Sequence, residues 1–182
     1  MQKKPFDLEQ VQKLRKILKG RDRVLFSLGF DSVLRRSDLL TLRVSDVLDH
    51  QGHPKARSTK VMEKTGRRIT FAISEFTRKL LRPYVKEKGL AHEDYLFKSR
   101  GTHLSGIQYS RLVKKWAMMI SLDHKEFSTH SIRRSKSSAV YSATKDIEVC
   151  RQLLGHQSVA NTSLYLNVSV ENALDLVDEL GF

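Results

Sequence analysis

Two short segments in which polar and apolar residues alternate, 57–63 and 67–73, interrupt a chain whose other apolar residues recur at helical spacing. Residues 64–66 (Lys-Thr-Gly) separate the two segments, and a short glycine-containing turn between alternating runs is typical of a β-hairpin. We therefore expect an α+β fold that is mostly α, a helical bundle with a small antiparallel β-sheet or hairpin.

Apolar residues three and four positions apart predict the helices. The predicted ranges are 8–18, 22–35, 38–42, 74–88, 105–120, 130–143, 146–154 and 158–166, followed by an amphipathic segment at 170–180. Asp7 is the predicted N-cap of the first helix and Gly20 its predicted end, while Ser37 is the predicted N-cap of the third. Because no repeat, low-complexity segment or internal linker is present, residues 1–182 are expected to form a single domain.

The charge balance narrows the class of partner. The 182 residues include 33 Lys and Arg against 20 Asp and Glu, a formal charge of +13. Such an excess favours a polyanionic partner, nucleic acid before a membrane surface. The one cysteine, Cys150, excludes an internal disulfide and fits a reducing compartment. No apolar run is long enough to span a membrane and no signal-peptide core follows Met1, so we expect an intracellular protein.

The C-terminal third carries a group of residues suited to phosphate chemistry. His130 and Arg133 are three positions apart, which places both on one face of a helix. A guanidinium grips two phosphate oxygens, and an imidazole donates or accepts a proton near neutral pH. His156 adds a second imidazole, and the Tyr165 hydroxyl is a candidate nucleophile. Taken singly, each also fits a structural role: a polar helix face, a helix-terminal histidine or a core aromatic.

Further basic residues precede this group. Arg35 and Arg36 lie where one predicted helix ends and the next begins, and Lys64 lies at the hairpin tip. These cations, too, are individually typical of solvated surface charge. The candidate DNA-binding residues, most of them in the hairpin region, are Arg36, Lys55, Arg57, Lys60, Arg67, Arg68 and Arg134. A basic hairpin favours contact with phosphates, although a charged edge strand is the alternative.

In their order and spacing, these residues resemble the catalytic domain of the tyrosine recombinases, the phage integrase family. Residues 34–43 (Leu-Arg-Arg-Ser-Asp-Leu-Leu-Thr-Leu-Arg) look like the family's first arginine box, and residues 63–66 (Glu-Lys-Thr-Gly) resemble its lysine hairpin. Residues 130–133 (His-Ser-Ile-Arg) match the His-x-x-Arg box, and residues 154–156 (Leu-Gly-His) match the Leu-Gly-His box. The intervals typical of the family hold as well: His156 follows Arg133 by 23 positions, and Tyr165 follows His156 by 9. Val33 stands where many members have glycine, a departure expected to affect local packing more than chemistry.

The resemblance implies that Tyr165 attacks a DNA phosphodiester, which yields a 3′-phosphotyrosine and a free 5′-hydroxyl. A tyrosine with a pKa of about 10 needs its proton drawn off to react at neutral pH. In the family's pattern, His130 helps to accept that proton and Lys64 protonates the leaving 5′-oxygen.

The same resemblance assigns the charged groups around the phosphate. Arg35 and Arg133 would bind the non-bridging oxygens and stabilise negative charge as it develops, and His156 would add a hydrogen bond. Asp38 would orient a neighbouring residue. Because the arginines take the role of a metal, no metal ion and no cofactor is expected.

The resemblance also implies partners. Double-stranded DNA is the expected substrate, and the amphipathic segment at 170–180 would pack on a neighbouring protomer in a tetramer or, equally, on its own domain. We expect this chain to lack the N-terminal core-binding domain that members usually carry, because it starts at what looks like the first catalytic-domain helix. It would then be either an excised domain or one of the short members of the family. The protein is expected to act in a cytoplasm of bacterial or phage type, on the nucleoid.

Four functions remain open from the sequence. A site-specific recombinase or integrase is favoured by the Leu-Gly-His box and its short distance to Tyr165. A type IB topoisomerase-like enzyme uses the same residue types to relax supercoils. A non-catalytic DNA-binding regulator could retain the fold alone, although such a protein would not need the complete site. An unrelated basic structural protein is the fourth.

Overall fold

The computed structural model describes residues 3–166, and the predicted segment at 170–180 lies outside them. The chain divides into two compact units, Met1–Lys136 and Ser137–Phe182. In the described part, no helix combines the length and apolar character needed to cross a membrane.

The first unit is mainly helical. Its helices are α1 (Leu8–Ile17), α2 (Gly20–Ser32), α3 (Arg36–Leu40), α4 (Val44–Val47), α5 (Glu75–Glu87), α6 (Gly106–Met119) and the start of α7 (Thr129–Thr144), with a 3₁₀ turn at His124–Glu126. Asp7 caps α1 as predicted, because its carboxylate accepts the Gln10 N–H at 2.7 Å while the Gln10 side chain accepts the Asp7 N–H. The short helix α4 was not predicted.

The predicted hairpin is present. β1 (Arg57–Val61) pairs antiparallel with β2 (Arg68–Ala72), and a second, very small pair, β3 (Lys98–Ser99) with β4 (Thr102–His103), was not predicted. Side chains alternate across the hairpin, so that Ile69 and Phe71 are buried while Arg57 and Arg68 face solvent. This alternation is the physical origin of the sequence pattern, and it leaves the Arg57 and Arg68 side chains on the outer face, whereas Lys60 of β1 lies opposite the buried Ile69.

An aromatic cluster forms the centre of the first unit and fixes the helices that carry the candidate site. The rings of Phe6 and Phe127 stack at 4.4 Å, and Phe26 meets Trp116 edge to face at 5.8 Å. The N–H of Phe6 donates to Ser135 Oγ on α7 at 2.8 Å. The N-terminal segment, α2, α6 and the start of α7 therefore share one core.

Two predicted helix boundaries were wrong, both around α2. Gly20 does not end α1; it begins α2 with a left-handed φ of +51°, because the buried Leu18 already takes the chain out of α1 in an extended conformation. α2 ends at Ser32 rather than at residue 35, because Val33 adopts a left-handed conformation with φ 54°. A valine at such a φ is strained, whereas glycine adopts it without steric cost.

The turn at Val33 also moves the start of α3. Arg35, in an extended conformation, is the N-cap of this helix, and the predicted cap Ser37 lies inside the helix. The Arg35 side chain therefore projects from a helix boundary, and the turn before α3, rather than a helix face, sets its direction.

The second unit holds two helices in its described part besides the end of α7, namely α8 (Ile147–Leu154) and α9 (Val159–Leu166). The Asp146 carboxylate caps α8 by accepting the N–H groups of Glu148 and Val149. Gly155 ends α8 with φ 63°. Cys150 is fully buried, as a core residue would be.

Candidate active site

Arg35 contacts the hairpin through its guanidinium. Its Nη1 donates to the sulfur of Met62, the residue after β1, at 3.1 Å. The Arg35 side chain is partly exposed, whereas Met62 is buried. The first predicted catalytic arginine is thus held beside the loop that carries the predicted catalytic lysine.

Asp38 makes a second connection between α3 and the hairpin. Its fully buried carboxylate accepts the backbone N–H of Glu63 through Oδ1 at 2.9 Å. Lys64 follows directly, with its side chain exposed at the turn. The predicted orienting role of Asp38 thus has a concrete candidate target, the backbone at the base of the Lys64 turn.

Replacing Asp38 with alanine should loosen this turn. The Glu63 N–H would lose its carboxylate acceptor, and a buried hydrogen bond to a charged group contributes about 1.5–3 kcal/mol. We expect the free energy of unfolding to fall by about that amount, and exchange of the Glu63 amide hydrogen to accelerate. Ser37→Ala, at an exposed neighbouring position, is the control; equal amide protection in wild type and Asp38→Ala would contradict the role of the carboxylate.

His130 and Arg133 lie in the first turns of α7, as their spacing predicts. Arg133 is 5% exposed, whereas His130 remains open to solvent on one side. Partial burial lowers the pKa of His130 below its ordinary value of 6.5, and positive charge acts in the same direction, from Arg133 first and then from Arg36, Arg35 and Arg134. A lowered pKa favours the neutral imidazole, the form that can accept a proton.

The titration of His130 tests this cluster. Its imidazole should titrate below 6.5, and Arg36→Ala should raise the pKa because removing a nearby cation stabilises the imidazolium. NMR titration of the His130 ring proton measures both values. Arg57→Ala, which removes an exposed hairpin cation outside this group, should leave the titration unchanged. A His130 pKa at or above 6.5 in the wild type would contradict the combined effect of partial burial and these cations.

The Arg36 side chain lies against a glycine at the start of α6. A Cβ atom added to Gly106, the first residue of α6, would lie 2.9 Å from Arg36 Nε. No larger residue fits there without displacing the Arg36 side chain. Gly106 therefore provides the space in which Arg36 lies.

The candidate DNA-binding residues fall into two groups. Lys55 and Lys60 donate to backbone carbonyls of the first unit, Ser45 O at 2.8 Å and Thr41 O at 3.0 Å respectively, and Arg134 is buried and donates to Lys3 O. These three side chains hold the fold together. The exposed group consists of Arg36, Arg57, Arg67 and Arg68. DNA contact by either group stays a prediction.

His156 and Tyr165 belong to the second unit, where they meet. Their rings lie edge to face with centroids 5.3 Å apart. His156 Nδ1 lies 3.1 Å from Oγ1 of the buried Thr162, whose hydroxyl is 3.2 Å from Ser158 O. If the Thr162 hydroxyl donates to Ser158 O, then Nδ1 of His156 must be protonated and donate to Thr162 Oγ1. Nε2 is not part of this contact.

Sequence reasoning missed two contacting residues. Thr162 orients the His156 ring. The sequence feature that could have indicated this contact is the position of Thr162, six residues after His156 on the helix that carries Tyr165. Met62 contacts Arg35, and nothing in the local pattern distinguishes it from an ordinary core methionine. Within residues 3–166, no three His, Cys, Asp or Glu side chains cluster to hold a metal ion, and metal-free chemistry stays a prediction.

Comparison with known proteins identifies a family. The sequence profile described as Phage integrase family matches residues 4–172. The probable integrase/recombinase YoeC of Bacillus subtilis (strain 168) is 33% identical over 166 residues, which cover 88% of this chain and 87% of that protein. The tyrosine recombinase XerC of Thermodesulfovibrio yellowstonii is 28% identical over 180 residues, 96% of this chain but 59% of XerC. The chain thus spans little more than half of the XerC relative.

Solved structures show the same fold. The XerA recombinase matches with a TM-score of 0.81 and 20% identity, over 100% of this chain and 66% of that one. The XerH site-specific recombinase, solved in a post-cleavage complex with difH substrate, matches with a TM-score of 0.76 and 18% identity, over 97% and 53%. The catalytic domain of bacteriophage HP1 integrase matches at 0.63 with 16% identity, over 96% and 95%. The predicted fold class, mostly α with a small antiparallel sheet, is confirmed.

Proposed function

Because this chain belongs to the phage integrase family, we propose that it is a site-specific DNA recombinase that cleaves and rejoins strands through a 3′-phosphotyrosine intermediate on Tyr165. The observation that carries this proposal is the cluster in the first unit. Arg35 contacts Met62 at the base of the Lys64 turn, and Asp38, in the helix that follows Arg35, accepts the Glu63 N–H of the same turn. The charges of Arg133 and Arg35 add to partial burial in lowering the pKa of His130. A phosphodiester is the group that such a set of cations and a proton acceptor suits.

The reaction is a transesterification. Tyr165 Oη attacks phosphorus, a phosphorus–oxygen bond to the phenol forms, and the bond to the 5′-oxygen breaks. His130 accepts the phenol proton, and Lys64 protonates the departing 5′-oxygen. Attack by a 5′-hydroxyl from another strand reverses these steps and releases Tyr165.

The positive groups stabilise the transition state. Arg35 and Arg133 each present a fork of N–H donors to the non-bridging oxygens, where negative charge develops. His156 donates a further hydrogen bond through Nε2. If His156 Nδ1 donates to Thr162, then Nε2 can also donate only when the ring is protonated on both nitrogens. If instead the Thr162 hydroxyl donates to Nδ1, the neutral ring carries its proton on Nε2 and can donate it.

Double-stranded DNA is the proposed substrate, and the exposed arginines of the hairpin supply phosphate contacts. Arg57, Arg67 and Arg68 face solvent on the hairpin and its turn. Each phosphate they neutralise releases counterions, so affinity should fall steeply with salt concentration. A tetramer on DNA, joined through the segment at 170–180, is the proposed assembly, and the cytoplasmic nucleoid is its proposed place of action.

A covalent trapping experiment tests the function. The protein is mixed at low salt, with EDTA, with nicked duplexes of randomised sequence that cannot religate, and is then denatured. We expect a protein–DNA adduct with the wild type and none with Tyr165→Phe, and sequencing the trapped DNA gives the target site. DNA binding without an adduct would favour a non-catalytic regulator. Relaxation of supercoiled DNA without sequence preference would favour a topoisomerase-like enzyme.

A further inference from the structure

Met62 occupies a junction between two parts of the proposed active site. Its sulfur is 3.1 Å from Arg35 Nη1, and the side chain is 3% exposed. Arg35 is 27 positions away in the sequence. The contact is therefore made by the packing of the hairpin against the α2–α3 turn.

The backbone of Met62 closes the turn that carries Lys64. Its N–H donates to Arg67 O at 2.8 Å, and its carbonyl accepts from Gly66 N at 2.8 Å. The same residue thus holds the base of the lysine turn with its main chain and the arginine with its side chain. The adjacent Glu63 N–H is held by Asp38.

A thioether is an unusual partner for a guanidinium, and its chemistry suits this place. A carboxylate would bind the guanidinium more strongly but would neutralise the charge that the phosphate needs. The Met62 sulfur is a weak, uncharged, polarizable acceptor. It engages one N–H of Arg35 and leaves the positive charge and the remaining donors of the fork available.

We propose that Met62 is a positioning residue, which orients the Arg35 guanidinium toward the scissile phosphate and joins that orientation to the position of the Lys64 turn. The inference rests on the proposed function, since it assigns Arg35 a phosphate to bind. Met62 acts through Arg35 and touches no reacting atom.

The test is Met62→Leu, which keeps the apolar volume and removes the acceptor. With the full chain and the duplex recovered by trapping, we expect the single-turnover cleavage rate at saturating DNA to fall about tenfold, while the dissociation constant for DNA changes less than about twofold. Met62→Gln restores an acceptor and should recover part of the rate. Met118→Leu, the same change at a 53% exposed position, should leave the rate unchanged.

A double-mutant cycle separates positioning from a structural effect. In an Arg35→Ala background, Met62→Leu should cause no further loss of rate, because the residue it positions is gone. An equal loss in both backgrounds, or a wild-type rate in Met62→Leu, would overturn the inference and leave the proposed function standing. A wild type that forms no adduct overturns the proposed function, and the inference with it.

A measurement without DNA tests the contact itself. In protein labelled with ¹³C-methyl methionine, Met62→Leu identifies the Met62 signal. Arg35→Gln should shift this signal and leave that of Met118 in place. An unshifted Met62 signal would show that the two side chains do not meet in solution and would overturn the proposal.

Discussion

Replacing both Arg35 and Arg133 with alanine is expected to lower the rate of DNA cleavage at least about 10³-fold, because removing one preorganised donor from a developing oxyanion typically costs about 10²–10³-fold. Both arginines belong to the first unit, and the positive charge of each lowers the pKa of His130. The hydrogen bonds they form strengthen as charge builds on the non-bridging oxygens, so the loss should fall on the chemical step. Single-turnover cleavage of the trapped duplex measures it.

Controls separate catalysis from DNA binding and from folding. Arg82→Ala, at an exposed position on α5, removes one positive charge, as each of the two single changes does, and should leave cleavage unchanged. Arg35→Lys and Arg133→Lys keep the charge but lose the planar fork, so part of the rate should return. Thermal unfolding checks the double variant, since Arg133 is 5% exposed. Loss of DNA binding in proportion to the loss of cleavage would contradict a role in the transition state and favour the regulator.

Asp31→Ala is expected to lower the free energy of unfolding by about 3–5 kcal/mol, the usual cost of removing one partner from a buried ionic network. Asp31 is 5% exposed on α2. It accepts from Arg15 Nη2 at 2.8 Å, from Ser74 N at 3.0 Å and from the hydroxyls of Ser74 and Thr77 at 2.5 Å each. The carboxylate thereby joins α1 and the start of α5 to α2. Its loss removes the acceptor of the Arg15 guanidinium and of three other donors.

Urea denaturation monitored by circular dichroism measures this change, and the midpoint should fall with it. Asp31→Asn retains one carbonyl acceptor and should fall between alanine and wild type. Glu75→Gln, which breaks the exposed ion pair with Lys79, should leave the midpoint where it is. An Asp31→Ala protein as stable as Glu75→Gln would show that Asp31 contributes no more than a surface charge.

The periodicity of apolar residues predicted most of the secondary structure, because helices and hairpins depend mainly on residues that are near one another in the sequence. The 57–63 and 67–73 alternation marked the hairpin, and helical spacing placed the helices of the described residues to within a few residues, except for the four-residue α4. The errors came at Gly20 and around residues 33–37, where the burial of Leu18 and the left-handed Val33 override the local preference.

The sequence by itself determined the fold class, the family and the identity of the candidate site residues, because the boxes that carry them are short and their spacing within one helix or one turn is a local property. Only the tertiary structure decided which basic residues face solvent, that Asp31 joins three helices, and that Met62 meets Arg35. These contacts join residues 16 to 46 positions apart. Such contacts depend on how helices and hairpin pack around the aromatic cluster, and no periodicity along the chain encodes the resulting distances.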